Sequence, residues 1–192
     1  RCKNLVQNLL TFSRESKAVM EEFDLNELIA GTLSIIEAQA RVKSIEVSSI
    51  FSDLPLFSGD KNQIQQVIVN LCNNAFDAMP GGGALAIKTR SVAAGKGRKA
   101  VIEISDNGTG IAEEIRGRIF DPFFTTKEVG RGTGLGLSLV YEIIQKHKGS
   151  IELGSGRGQG TTFIITFPDR NGNEADPKNA IIQRDGEDNS RG

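Results

Sequence analysis

Two short runs in this sequence combine residue types that could do chemistry. Asp106-Asn107-Gly108-Thr109-Gly110 sets one carboxylate ahead of two glycines, directly after a strand-like segment, Val101 to Ser105. Gly130-Arg131-Gly132-Thr133-Gly134-Leu135-Gly136-Leu137 places glycine at alternate positions, then runs into helix-spaced Leu137, Val140, Ile143 and Ile144. Glycine lets the backbone turn sharply and lets a ligand lie against it. Bare N–H groups ahead of a helix cradle phosphate. A carboxylate for a base edge beside a glycine cradle for phosphates suggests a nucleotide site. Neither common phosphate loop is present. The one Gly-Lys, Gly95-Lys96, is followed by Gly97 rather than Ser or Thr, and Gly132, Gly134 and Gly136 lack dinucleotide-fingerprint spacing.

A third constellation lies on the helix expected from about Lys61 to Met79. Ile64, Ile68, Leu71, Ala75 and Ala78 line one face, while Asn70, Asn74 and Asp77 return to a neighbouring side at steps of four and three. Their Cβ atoms would lie about 5–6 Å apart at the edge of the core. Asparagine is a poor helix former, so two on one side of such a helix call for a reason. One reading is a solvated flank. The other is a cleft wall where an amide oxygen ligates a hard cation such as Mg²⁺, which takes few protein oxygens and completes its shell with substrate phosphates.

The elements that must position these residues follow from apolar periodicity. Residues 1 to about 21 read as a helix with a stripe of Cys2, Leu5, Val6, Leu9, Leu10 and Phe12, suited to packing on another helix, of this chain or of a second one. Asp24 to Glu27 has the form of a capping box, opening a helix that turns Leu25, Leu28, Ile29, Leu33 and Ile36 inward. Strands are expected at Ile45 to Phe51, around Leu85 to Thr89 and at Val101 to Ser105, the last two joined by a turn at Ala94 to Gly97. A short exposed helical stretch between Ile111 and Phe120 and the aromatic run Phe120 to Lys127 lead into the glycine run. A closing hairpin joins Ile151–Leu153 to Thr161–Phe167, and the polar stretch from 169 to 192 reads as a disordered tail. This order predicts an α/β, two-layer sandwich: a mixed sheet of about five strands covered on one face by three helices, preceded by a helical arm.

Composition narrows the class. The chain has 192 residues, 38% hydrophobic and 24% charged, with a net charge of −1. That suits one globular domain with an arm or tail, and argues against nucleic-acid or anionic-membrane binding as its main work. Cys2 and Cys72 lie far apart, Cys72 within an apolar helical pattern, and read as buried free thiols of a reducing compartment rather than a disulfide. With no membrane-length apolar run and no signal peptide, a cytoplasmic location is expected. The opening in mid-helix predicts a fragment of something longer.

Asn70-Leu71-Cys72-Asn73-Asn74-Ala75, Asp106 to Gly110, Phe120-Asp121-Pro122-Phe123-Phe124 and Gly132 to Leu137 occur in that order. They resemble the N, G1, F and G2 boxes of the ATP-binding catalytic domain of bacterial sensor histidine kinases. That domain has the Bergerat-type fold shared with gyrase, Hsp90 and MutL. The resemblance spans about Phe23 to Phe167, and Phe-Phe-Thr-Thr-Lys looks most like the nitrogen-regulator type. It implies three parts: residues 1–21 as the end of a dimerisation helix, 22–168 as the catalytic domain, and 169–192 as the tail.

The resemblance also implies roles. Asp106 would accept a hydrogen bond from the adenine amino group of ATP, with Gly108 and Gly110 letting the base lie close. Asn74 would hold Mg²⁺, and Asn70 would support the metal or phosphates. Gly132, Thr133, Gly134, Leu135 and Gly136 would line the triphosphate, and Thr161 would reach the adenine pocket through water. Residues from about Arg118 to Thr133 would form a mobile lid. Lys127 is the first choice for a cation on the γ-phosphate, with Arg118 and Arg131 as further candidates.

Two positions depart from the wider pattern. Asp77 stands where many relatives carry a phosphate-touching lysine. Asn70 stands where the superfamily's ATPases carry a water-activating glutamate, and an amide cannot take a proton. Phosphoryl transfer to an external acceptor is therefore favoured over an ATP-hydrolysing clamp of the gyrase or MutL kind. The expected acceptor, a histidine on a separate dimerisation domain, is absent from this sequence. The sole histidine, His147, sits at a helix C-terminus, where packing and the helix dipole account for it. Implied partners are that dimerisation domain, a response-regulator receiver domain, and a second copy through the N-terminal helix.

Overall fold

The structure, a computed structural model, describes residues 19–95, 97–127, 132–155 and 158–168. Most of the expected N-terminal helix and the expected tail lie outside these residues, as do Cys2 and Arg131.

Where the N-terminal expectation can be compared, it is corrected. Met20–Phe23 forms strand β1, not the end of a helix, and pairs antiparallel with β3 (Phe57–Asp60), Phe23 opposite Phe57. Met and Glu favour helix by intrinsic propensity, but pairing with a distant segment and burial of Phe23 override it. The Phe57 ring packs against Phe23 at 5.5 Å and Phe167 at 4.8 Å, fastening this small sheet to the main one.

Helix α1 (Leu25–Val42) begins at Asp24, whose carboxylate accepts the N–H groups of Asn26 at 2.7 Å and Glu27 at 3.2 Å. Helix α2 (Lys61–Ala78) begins the same way at Asp60, which accepts from Asn62 and Gln63 at 3.0 and 3.1 Å. Each cap satisfies N–H groups that the helix itself leaves orphaned.

The main sheet runs in the order β2 (Ile45–Ile50), β4 (Gly83–Ala94), β5 (Gly97–Asp106), β7 (Thr161–Phe167), β6 (Ser150–Ser155). The β2–β4 pair is parallel and the others antiparallel. Leu85, Ile87 and Thr89 of β4 and Phe163, Ile165 and Phe167 of β7 are buried at alternate positions, so one face carries the core. Helices α1, α2 and α4 (Gly136–Lys146) cover it, a short α3 (Glu113–Arg116) lying between β5 and α4. The two-layer, five-stranded arrangement expected from periodicity is the one observed.

Because α2 packs against both α1 and α4, its buried surface is wider than one stripe, taking in Val67, Cys72 and Phe76. Burial pushes the Cys72 thiol up to about 12, so it packs as a small apolar side chain.

Candidate functional site

Asp106 ends β5, in register with Leu85 of β4 on one side and Thr161 of β7 on the other. Its half-buried carboxylate accepts the Gly108 N–H at 2.9 Å and the Thr161 backbone N–H. Burial raises its pKa above the ordinary 3.8, while those two donors pull the other way. The chain after Asp106 is held tightly. Asn107 accepts the Ala84 N–H on its side-chain oxygen at 2.8 Å, and Thr109 donates its N–H to the Ala78 carbonyl at 3.1 Å. A Cβ on Gly108 would come within 2.6 Å of that same Ala78 oxygen, so the loop needs glycine there to lie against the end of α2. The loop after Asp106 therefore lies against the C-terminal end of the helix that carries Asn74.

On α2, Asn70 and Asn74 are half-buried and Asp77 is exposed, so the stripe climbs from core edge to solvent as its spacing predicts. The Asn70 Nδ2 is buried with no hydrogen-bond partner. An unmet buried donor is costly, and it suits a wall meant to face a polar ligand.

The glycine run enters α4 with no side-chain cap, leaving first-turn N–H groups for solvent or a ligand. The Thr133 hydroxyl accepts the Leu135 N–H at 3.3 Å, and Leu135 itself is buried. Gly134 has φ +67 and accepts the Phe123 N–H on its carbonyl at 2.9 Å; a Cβ there would strike the Phe123 backbone. A Cβ on Gly132 would strike the Thr125 hydroxyl. At Gly136 a Cβ would meet nothing within 4 Å, so the chain's own packing does not require glycine at that point.

The candidate cations are placed differently. Lys127 Nζ lies 2.6 Å from the Asp77 carboxylate, at the solvent end of the asparagine stripe. Arg118 turns to its own segment, 3.8 Å from Asp121 and stacked 4.7 Å over the Phe124 ring. Arg131 falls outside the described residues.

Residues 59–171 match the family described as histidine kinase-, DNA gyrase B-, and HSP90-like ATPase. The chain belongs to that family. It is accordingly an ATP-binding domain, and its fold is that of a histidine-kinase catalytic domain. It is 43% identical over 180 residues to the sensor kinase CckA of Brucella abortus, a match covering 88% of this chain and 19% of CckA. The catalytic domain of the histidine kinase ThkA superposes with a TM-score of 0.67 at 33% identity, over 78% of this chain and 95% of that one. ThkA solved with the response regulator TrrA gives 0.69 at 29% identity, over 88% of this chain and 47% of that one. The chain spans 19%, 22% and 27% of the length of three curated relatives it matches.

Sequence reasoning missed three supports of this histidine-kinase-type domain. Gly160, at φ +77, lies so close to Asp106 that a Cβ would overlap the Asp106 carbonyl oxygen; its membership in a glycine-rich hairpin was the only signal. Asn107 pins the loop to β4, a role that its place inside the Asp106–Gly110 run does not disclose. Asp60 caps α2, and its place directly ahead of the expected helix start at Lys61 was the available signal.

Proposed function

We propose that this domain binds Mg·ATP and donates the γ-phosphoryl group to a histidine on a dimerisation domain, as the catalytic part of a two-component sensor kinase. What supports this reading is the half-buried Asp106 carboxylate, held by backbone donors, on a loop that lies against the end of the helix whose Asn70 donor is unmet.

In this reading Asp106 accepts from the adenine amino group, Gly108 and Gly110 keep the loop close to the base, and Thr161 adds a water-mediated contact. Asn74 offers its amide oxygen to Mg²⁺ and Asn70 supports the metal or phosphates. Among the described residues no three His, Cys, Asp or Glu side chains converge, so an ion at Asn74 would take its other oxygens from phosphate and water. When bound, Mg²⁺ neutralises charge on the phosphates. Gly132, Thr133, Gly134, Leu135 and Gly136 supply backbone N–H groups at the entry to α4. Lys127 is the first candidate to meet the terminal phosphate, with Arg118 and Arg131 as alternatives. Asn70 cannot act as a base toward water, which favours positioning for transfer over hydrolysis.

The residues before the catalytic domain fit the end of a dimerisation helix through which two copies pair. A response-regulator receiver domain is the onward acceptor, and the setting is cytoplasmic. No helix among the described residues is long and apolar enough to cross a membrane.

The test mixes the chain with a histidine-bearing dimerisation domain and γ-labelled ATP. Label on that domain as acid-labile phosphohistidine is the expected result. Release of free phosphate alone would instead support a hydrolysing clamp, a reading that Asn70 disfavours.

A further inference from the structure

Asp77, one turn beyond Asn74 on α2, carries two lysines. Its Oδ2 lies 2.6 Å from Lys127 Nζ, and its Oδ1 lies 3.6 Å from the Nζ of Lys43, the C-cap residue of α1. Lys127 comes from the segment that leads into the glycine run, and its N–H is taken by the Thr125 hydroxyl at 3.2 Å. The side chains remain open to water, 37% for Lys127 and 45% for Asp77. An ion pair so exposed contributes little to folding, so its partners can exchange without disturbing the core.

We propose that Asp77 is a specificity-determining residue. It holds Lys127 one turn beyond Asn74 on α2 and competes with the terminal phosphate of a nucleoside triphosphate for that ammonium. This rests on the nucleotide reading above. A terminal phosphate carries more charge than a carboxylate and offers more acceptor oxygens, so it draws Lys127 away. A diphosphate lacks that group and leaves the Asp77–Lys127 pair in place. Lys43 stays behind as the counter-ion, so Asp77 is not stranded when Lys127 departs. The exchange sets how strongly the domain prefers triphosphate to diphosphate.

The test is a double-mutant cycle by calorimetry on the whole 192-residue chain, titrated with MgATP and with MgADP. Asp77→Asn is expected to tighten ATP by about two- to fivefold and to leave ADP unchanged. Lys127→Met is expected to weaken ATP and to erase the Asp77→Asn gain. Equal changes for ATP and ADP, or a gain that survives in Lys127→Met, would overturn the exchange. A wild-type chain that binds neither nucleotide would instead overturn the nucleotide reading itself.

Discussion

Asp60 donates its backbone N–H to Nε2 of His147 across 3.0 Å, joining the start of α2 to the end of α4. The opposite ring nitrogen lies 2.8 Å from the Ile143 carbonyl, which fixes the tautomer with the proton on Nδ1. The start of the helix that carries the asparagine stripe is thus tied to the end of the helix that follows the glycine run, at the end away from the proposed nucleotide site. His147 is buried against Phe57 and Phe167, with both ring nitrogens engaged by the backbone.

His147→Phe keeps the ring volume but strands the Asp60 N–H. A loss of about 1–3 kcal/mol in stability is expected in urea unfolding. Below its unfolding midpoint the variant should still pass label to an external dimerisation domain. Loss of transfer with stability intact would give His147 a chemical role.

Asp106→Asn removes a desolvated charge and should leave thermal stability at neutral pH unchanged or higher. Nucleotide affinity should fall about ten- to a hundredfold, the scale of a hydrogen bond to a charged group. The pH dependence has two opposite signs. The folded pKa is raised, so this group's contribution to stability is present below 3.8 and lost as pH rises through the raised value. In the proposed role the carboxylate accepts from the adenine amino group, so nucleotide binding is expected to weaken as pH falls through that same window. Calorimetry and thermal melts down a pH series would separate the two, and Asp106→Asn should flatten both.

Asn74→Ala should remove the gain in ATP affinity that Mg²⁺ brings while leaving adenosine binding near its original value. Titrations with and without the metal provide the measurement. A metal-dependent gain that survives the substitution would move the cation elsewhere.

Gly160→Ala asks for a side chain at φ +77 where a Cβ would overlap the Asp106 backbone. The left-handed conformation alone costs about 1–2 kcal/mol, and the overlap adds to it. A lowered melting temperature with weakened nucleotide binding is expected. Gly158→Ala, strained at φ +75 but with open space around it, should cost stability with less effect on binding.

Local pattern carried most of the architecture. The steps of three and four in α1, α2 and α4 and the alternation in β4 and β7 are written in the chain, because each buried face repeats at the period of its own backbone. The spacing of Asn70, Asn74 and Asp77 already placed them on one side of one helix. The order of the four motifs already pointed to an ATP-binding domain. Packing decided what spacing could not. Met20–Phe23 is a strand only because β3 lies alongside it, and Val67 and Phe76 are core because α2 has helices on both flanks. Gly108 and Gly160 are needed because backbones from far apart in sequence press on them. Asp77 and Lys127, distant along the chain, meet because the segment that ends at Lys127 lies beside the last turn of α2. Periodicity reports which way a side chain points along its own element; its partner across space is set by how those elements pack.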